Sequence, residues 1–110
     1  MDDPRPALDA ERARNERLLA DVERSMRDVS DARQDANSDD EHDPEGATLA
    51  WERGSLGAVR DDARERLRLV DAALARLDAG TYGTCTVGGE PIPAARLAAV
   101  PWAATCVAHA

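Results

Sequence analysis

The chain has 110 residues, enough for one domain; 33% of them are charged, and its only aromatic residues are Trp51, Tyr82 and Trp102, with no Phe. That composition excludes a large aromatic core, and the Ala, Leu, Glu, Asp and Arg that dominate it favour long exposed helices. The net charge is −8, and residues 28–45 hold eight carboxylates against Arg33, a net of −7, so this segment repels phosphate and is not expected to bind DNA. A basic groove on a partner protein is its natural complement.

Pro4 and Pro6 predict a short extended start over residues 1–8. No apolar run follows Met1-Asp2-Asp3-Pro4-Arg5, so a signal peptide is not expected. No stretch reaches transmembrane length, and the expected location is cytoplasmic, where two Cys are more often reduced thiols or metal ligands than a disulfide. Asp9 is placed to cap a helix beginning near Ala10. Leu19, Val22, Met26 and Val29 then recur at spacings of three and four, with Leu8 and Asn15 on the same stripe. The opposite face carries Glu11, Arg12, Glu16, Arg17, Glu23, Arg24 and Arg27, which makes a helix with a narrow coiled-coil seam.

The pattern fades after Ala36, and the polar stretch from Asn37 to Gly46 reads as a loop or helix tip, with Pro44 turning Asp43 away from helical geometry. Asp35, Asn37 and Asp39 imitate the start of a calcium loop, but Asp40 and Gly46 stand where that loop needs Gly and Glu. His42 reads as a polar loop residue. A second helix is predicted from about Ala47 to Ala79, with Leu49, Leu56, Val59, Ala63, Leu67, Val70, Leu74 and Leu77 as its stripe and Gly80 as its stop. Trp51 is either a partner-facing anchor or a cover for the seam. Two helices of about 45 Å, each with one narrow apolar stripe, bury both stripes most simply as an antiparallel hairpin over residues 9–80, tip near 37–47; pairing of two chains into a four-helix assembly is the alternative. The expected fold class is thus all-α dominated: a long two-helix coiled-coil hairpin followed by a small C-terminal knuckle over residues 81–110.

Helical periodicity stops at Thr81. A short helix is expected from Ala94 to Val100, ended by Pro101. Around it, Tyr82, Gly83, Cys85, Gly89, Ile92, Arg96, Leu97, Ala99, Pro101, Ala103 and Cys106 fall in the register G-x-Y-G-x-C-x-x-C-G-x-x-I-x-x-x-R-L-x-A-x-P-x-A-x-x-C-x-x-C. This resembles the C4-type zinc finger of the DksA/TraR family, bacterial regulators of RNA polymerase. The chain departs from the pattern at two ligand positions, with Gly88 at the second and His109 at the fourth. The ligand set implied is Cys85, Cys106 and His109, an incomplete zinc site that Glu90 or water could close only weakly, since structural zinc normally takes four protein ligands. The other readings are that Cys85 and Cys106 pair on oxidation, or that both are buried thiols left from a lost site. Tyr82, Ile92, Leu97, Val100, Trp102 and Val107 are the apolar anchors that would then hold the knuckle.

The resemblance also implies a function. In that family the hairpin enters the polymerase secondary channel, and acidic residues of a D-x-x-D-x-A type motif at its tip act near the catalytic centre. Aligning on Ala47 and Thr48 puts Glu45 at the second Asp, with Asp43 one residue closer than in that motif. Carboxylates there suit polymerase side chains or a bound Mg²⁺, a hard cation that prefers oxygen. Arg96 corresponds to a knuckle Arg that meets the polymerase rim or a regulatory nucleotide such as ppGpp, with a local salt bridge as the plainer alternative. The expected protein is therefore a non-enzymatic regulator with RNA polymerase as partner. A coiled-coil adaptor without tip activity and a thiol or metal sensor built on the knuckle are the competing readings.

Overall fold

The computed structural model describes residues 3–37 and 44–110, and their side chains except those of 33, 35–37, 44–47 and 49. Its elements are α1 (Arg5–Asn37), α2 (Pro44–Ala79), α3 (Ala94–Ala99) and a closing 3₁₀ turn (Val107–His109). No strand forms among the described residues; a lone antiparallel bridge joins Thr84 and Pro91. The chain divides into two compact units, one made of residues 1–14 and 66–110 and the other of residues 15–65.

The first helix begins earlier than the sequence predicts, and the expected extended segment 1–8 is helical from Arg5. Pro4 supplies the first accepting carbonyl, 3.1 Å from the Leu8 amide, and Asp3 Oδ1 accepts the Arg5 N–H at 3.0 Å. Pro6 falls in the first turn, where the missing N–H would have had no intrahelical partner anyway. Helix α2 likewise starts at Pro44 instead of Ala47, because Pro is pre-set for the first helical position.

In the first unit the start of α1 pairs antiparallel with the end of α2. Arg5 meets Asp78 at 2.6 Å, Arg12 meets Asp71 at 3.1 Å, and Arg66 meets Glu11 at 2.7 Å. Those pairs mark register; the packing comes from fully buried Leu8 against Val70 and Ala73, with Leu74, Tyr82 and Trp102 closing over them. Arg66 also lies 3.9 Å from the Trp102 ring centroid. Within the second unit the two helices also pair antiparallel. Arg64 meets Glu23 at 3.4 Å, and Arg53 donates to the Met26 carbonyl at 3.4 Å and to Ser30 Oγ. Val22, Met26, Val29 and Ala63 are buried, as the stripes predict, and so is Asn15. Val59 departs from its predicted stripe and is 39% exposed. Trp51, at 74% exposed, does not cover the seam.

Helix α2 ends as Gly80 predicts. Gly80 has φ +79°, the Thr81 amide donates to the Arg76 carbonyl at 2.9 Å, and the Gly80 amide donates to Leu77 at 3.3 Å. These two bonds are the Schellman pattern, which satisfies carbonyls the helix end would otherwise leave open.

Candidate metal centre

The knuckle is built by backbone hydrogen bonds between short segments. Ile92 N–H donates to Gly83 at 2.7 Å and Cys85 N–H to Glu90 at 2.8 Å, so residues 83–92 fold back on themselves. Gly89, at φ +77°, lets the chain turn tightly enough for its own amide to reach the Cys85 carbonyl at 2.9 Å. The Thr86 amide then reaches Ala104 at 2.9 Å, which ties the first loop to the segment that carries Cys106. Tyr82 Oη donates to Pro101 at 2.8 Å, and Arg76 donates to the Trp102 and Ala103 carbonyls at 3.5 and 3.4 Å. Burial lowers the readiness of Arg76 to carry its charge and raises the Tyr82 pKa, which fits two polar groups spent on holding backbone. Cys85, Ile92 and Cys106 form a small buried cluster with Leu97 against it.

Within this frame four donor groups converge. Cys85 Sγ lies 3.4 Å from His109 Nδ1, Cys106 Sγ lies 3.1 Å from the same nitrogen, and Cys106 Sγ donates to Glu90 Oε1 at 2.8 Å. Glu90 Oε1 is 2.7 Å from His109 Nδ1. One ligand atom from each of the four residues lies within 4.8 Å of all the others. His109 arrives through the 3₁₀ turn, whose His109 N–H to Cys106 bond of 3.1 Å places residues three apart on one side.

The electrostatics of the cluster are those of a shared proton set. Burial pushes the Cys85 thiol up, but hydrogen bonds from the Gly88, Cys106 and Val87 amides and from His109 bring it down to about 7. The Cys106 thiol is held up chiefly by the bond it donates to Glu90, and Glu90 is held down chiefly by accepting it. Contact with Cys85 raises His109. The sequence shows no nucleophile–base pair, yet the fold brings Cys85 and His109 together; with Cys85 2% exposed, a substrate has no approach to that sulfur. Two soft sulfurs, an imidazole and a hard carboxylate oxygen are all donors that the borderline-soft Zn²⁺ accepts. These residues therefore fit a zinc ion.

The fold thus unites the three predicted ligands, Cys85, Cys106 and His109, and adds Glu90. The two Cys are unbonded to one another. Arg96 is half-buried, and its Nε donates to the Thr105 carbonyl at 2.8 Å, so it steadies the segment next to Cys106. Among the tip residues, Asp43 and His42 lie outside the described residues, as do the side chains of Glu45 and Ala47; Thr48 is exposed on the first turns of α2.

Residues 80–108 match the sequence pattern of the prokaryotic dksA/traR C4-type zinc finger. Through this segment the chain resembles the DksA/TraR family. General stress protein 16O of Bacillus subtilis is 40% identical over 68 residues, which are 62% of this chain and 42% of that protein. The RNA polymerase-binding transcription factor DksA of Caulobacter vibrioides is 45% identical over 49 residues, 44% of this chain and 34% of that one. The matched stretch therefore spans less than half the length of either relative. The structure of transcription factor DksA2 from Pseudomonas aeruginosa superposes with a TM-score of 0.56 over 93% of this chain and 78% of that one, at 24% identity. That likeness shows the fold: two long helices and a C-terminal zinc-finger region, shared with a DksA-family protein. Among the described residues, no helix is long and apolar enough to cross a membrane.

Proposed function

We propose that this chain regulates transcription by binding RNA polymerase, as a non-enzymatic factor whose paired helices carry an acidic tip into the secondary channel. The observation that carries the reading is the zinc-finger match at residues 80–108 on a DksA-like two-helix fold. Support comes from a family relative that is named an RNA polymerase-binding transcription factor. The charge distribution agrees: residues 28–45, from the end of α1 to the start of α2, hold −7 of the net −8, which suits a basic channel and opposes DNA. Asp43 and Glu45 are the proposed tip carboxylates, flanked by Ala47 and Thr48, and a regulatory nucleotide such as ppGpp is a candidate effector.

The test combines a pull-down on core RNA polymerase with transcription in vitro. The wild-type chain is expected to be retained by polymerase and to compete with a blocker of the secondary channel. Charge reversal at both positions, Asp43→Arg with Glu45→Arg, is expected to change transcription output at least tenfold. Unchanged binding and unchanged output in that variant would remove the tip role and leave a coiled-coil adaptor.

A further inference from the structure

The family pattern asks for a metal ligand at position 88, and this chain has Gly there. The space a side chain at 88 would use is not vacant. A Cβ built on Gly88 would overlap Glu90 Oε2, and would lie 2.5 Å from His109 Cε1 and 2.7 Å from Glu90 Cδ. The Glu90 carboxylate thus sits where a residue-88 side chain would start. Its position follows from the backbone: the Cys85 amide to Glu90 carbonyl bond at 2.8 Å pairs these residues across the turn and sends their side chains toward the same side.

We infer that Glu90 is the fourth ligand of a two-Cys, one-His, one-carboxylate zinc site, and that residues 88 and 90 are alternative sources of one coordination position. Gly88 is then required by the Glu90 ligand, because any side chain at 88 competes for its place. Bonds of about 2.3 Å to sulfur and about 2.0–2.1 Å to nitrogen and oxygen put tetrahedral donors roughly 3.3–3.8 Å apart. The donor pairs at 2.7, 2.8, 3.1 and 3.4 Å need only a small outward movement to reach that spacing. On loading, Zn²⁺ displaces the protons shared among the thiols, the imidazole and the carboxylate, and releases them to solvent. The shell holds two thiolates, a carboxylate and a neutral imidazole, so it keeps the closed four-ligand form of a structural site with one soft donor exchanged for a hard one. This rests on the zinc-finger geometry and is independent of polymerase binding.

The experiment measures zinc per chain on the full-length protein, its affinity by competition with a chromogenic chelator, and the donor set by X-ray absorption. Wild type is expected to hold one zinc with two sulfur and two lighter donors. Glu90→Gln is expected to weaken zinc at least about tenfold, the scale on which perturbed shells respond. Gly88→Cys is expected to bind with three sulfurs and one lighter donor. In that background Glu90→Ala is expected to cost less than about threefold, which also shows that the knuckle still folds without Glu90. The inference is overturned by a wild-type protein that takes up no zinc under reducing conditions. It is equally overturned by a Glu90→Gln affinity equal to wild type, or by a Glu90 effect of the same size in both backgrounds.

Discussion

Leu8 shows how one residue can matter more than its neighbourhood in the sequence implies. It lies in a segment that two prolines mark as extended, yet it is fully buried against Val70 and Ala73, under Leu74, Tyr82 and Trp102. Leu8→Ala is expected to cost about 2–5 kcal/mol, the range for emptying a packed Leu site, and urea unfolding followed by far-UV circular dichroism measures it. The stripe through Leu8 and Asn15 was legible from spacing, because helical periodicity survives a Pro in the first turn. The start at Arg5 was not, because it depends on Asp3 and Pro4 capping that turn. The metal cluster divides in the same way. Cys85, Cys106 and His109 could be read from the motif register. Glu90 stood out only as one way to close the shell, since its approach depends on the Gly89 turn and on the room left by Gly88.

Helix α2 contains glycines, and is followed by another, that look alike in sequence and behave oppositely in the structure. Gly80 has φ +79° at the helix end, while Gly54 and Gly57 lie inside the helix; a Cβ on any of the three would meet nothing within 4 Å. With no clash at any of them, backbone conformation alone sets the sign. Gly80→Ala is expected to destabilise by about 1–2 kcal/mol, because a left-handed residue with a Cβ is strained. Gly54→Ala and Gly57→Ala are each expected to stabilise by about 0.5–1 kcal/mol, because Ala loses less entropy in a helix than Gly does. Thermal melts of the three variants at matched concentration check both signs. Stop and stripe were legible here because capping and periodicity are local properties. The exposure of Val59 was not, since a stripe position is buried only where the facing helix supplies a partner.

At the scale of the molecule, charge separates two roles that a single tip substitution would confuse. Residues 28–45 carry −7 of the net −8, yet only Glu45 aligns with the family's tip motif, with Asp43 one residue closer to it than the motif's first Asp. On the proposed reading the remaining carboxylates act through their field, and a field changes encounter rates more than the lifetime of a complex. Asp39→Asn, Asp40→Asn and Glu41→Gln together bring the net charge from −8 to −5. This variant is expected to associate with core RNA polymerase about tenfold more slowly at low salt, with dissociation changed by less than about twofold. The two proteins should converge as salt rises, because at 1 M the screening length falls to about 3 Å. Once bound, the triple variant should give wild-type transcription output, whereas reversal of Asp43 and Glu45 should not. Surface-plasmon kinetics across a salt series, run beside a saturating transcription assay, separates steering from contact. If the triple variant lost output at saturation, the carboxylates at 39–41 would have to be counted with the tip itself.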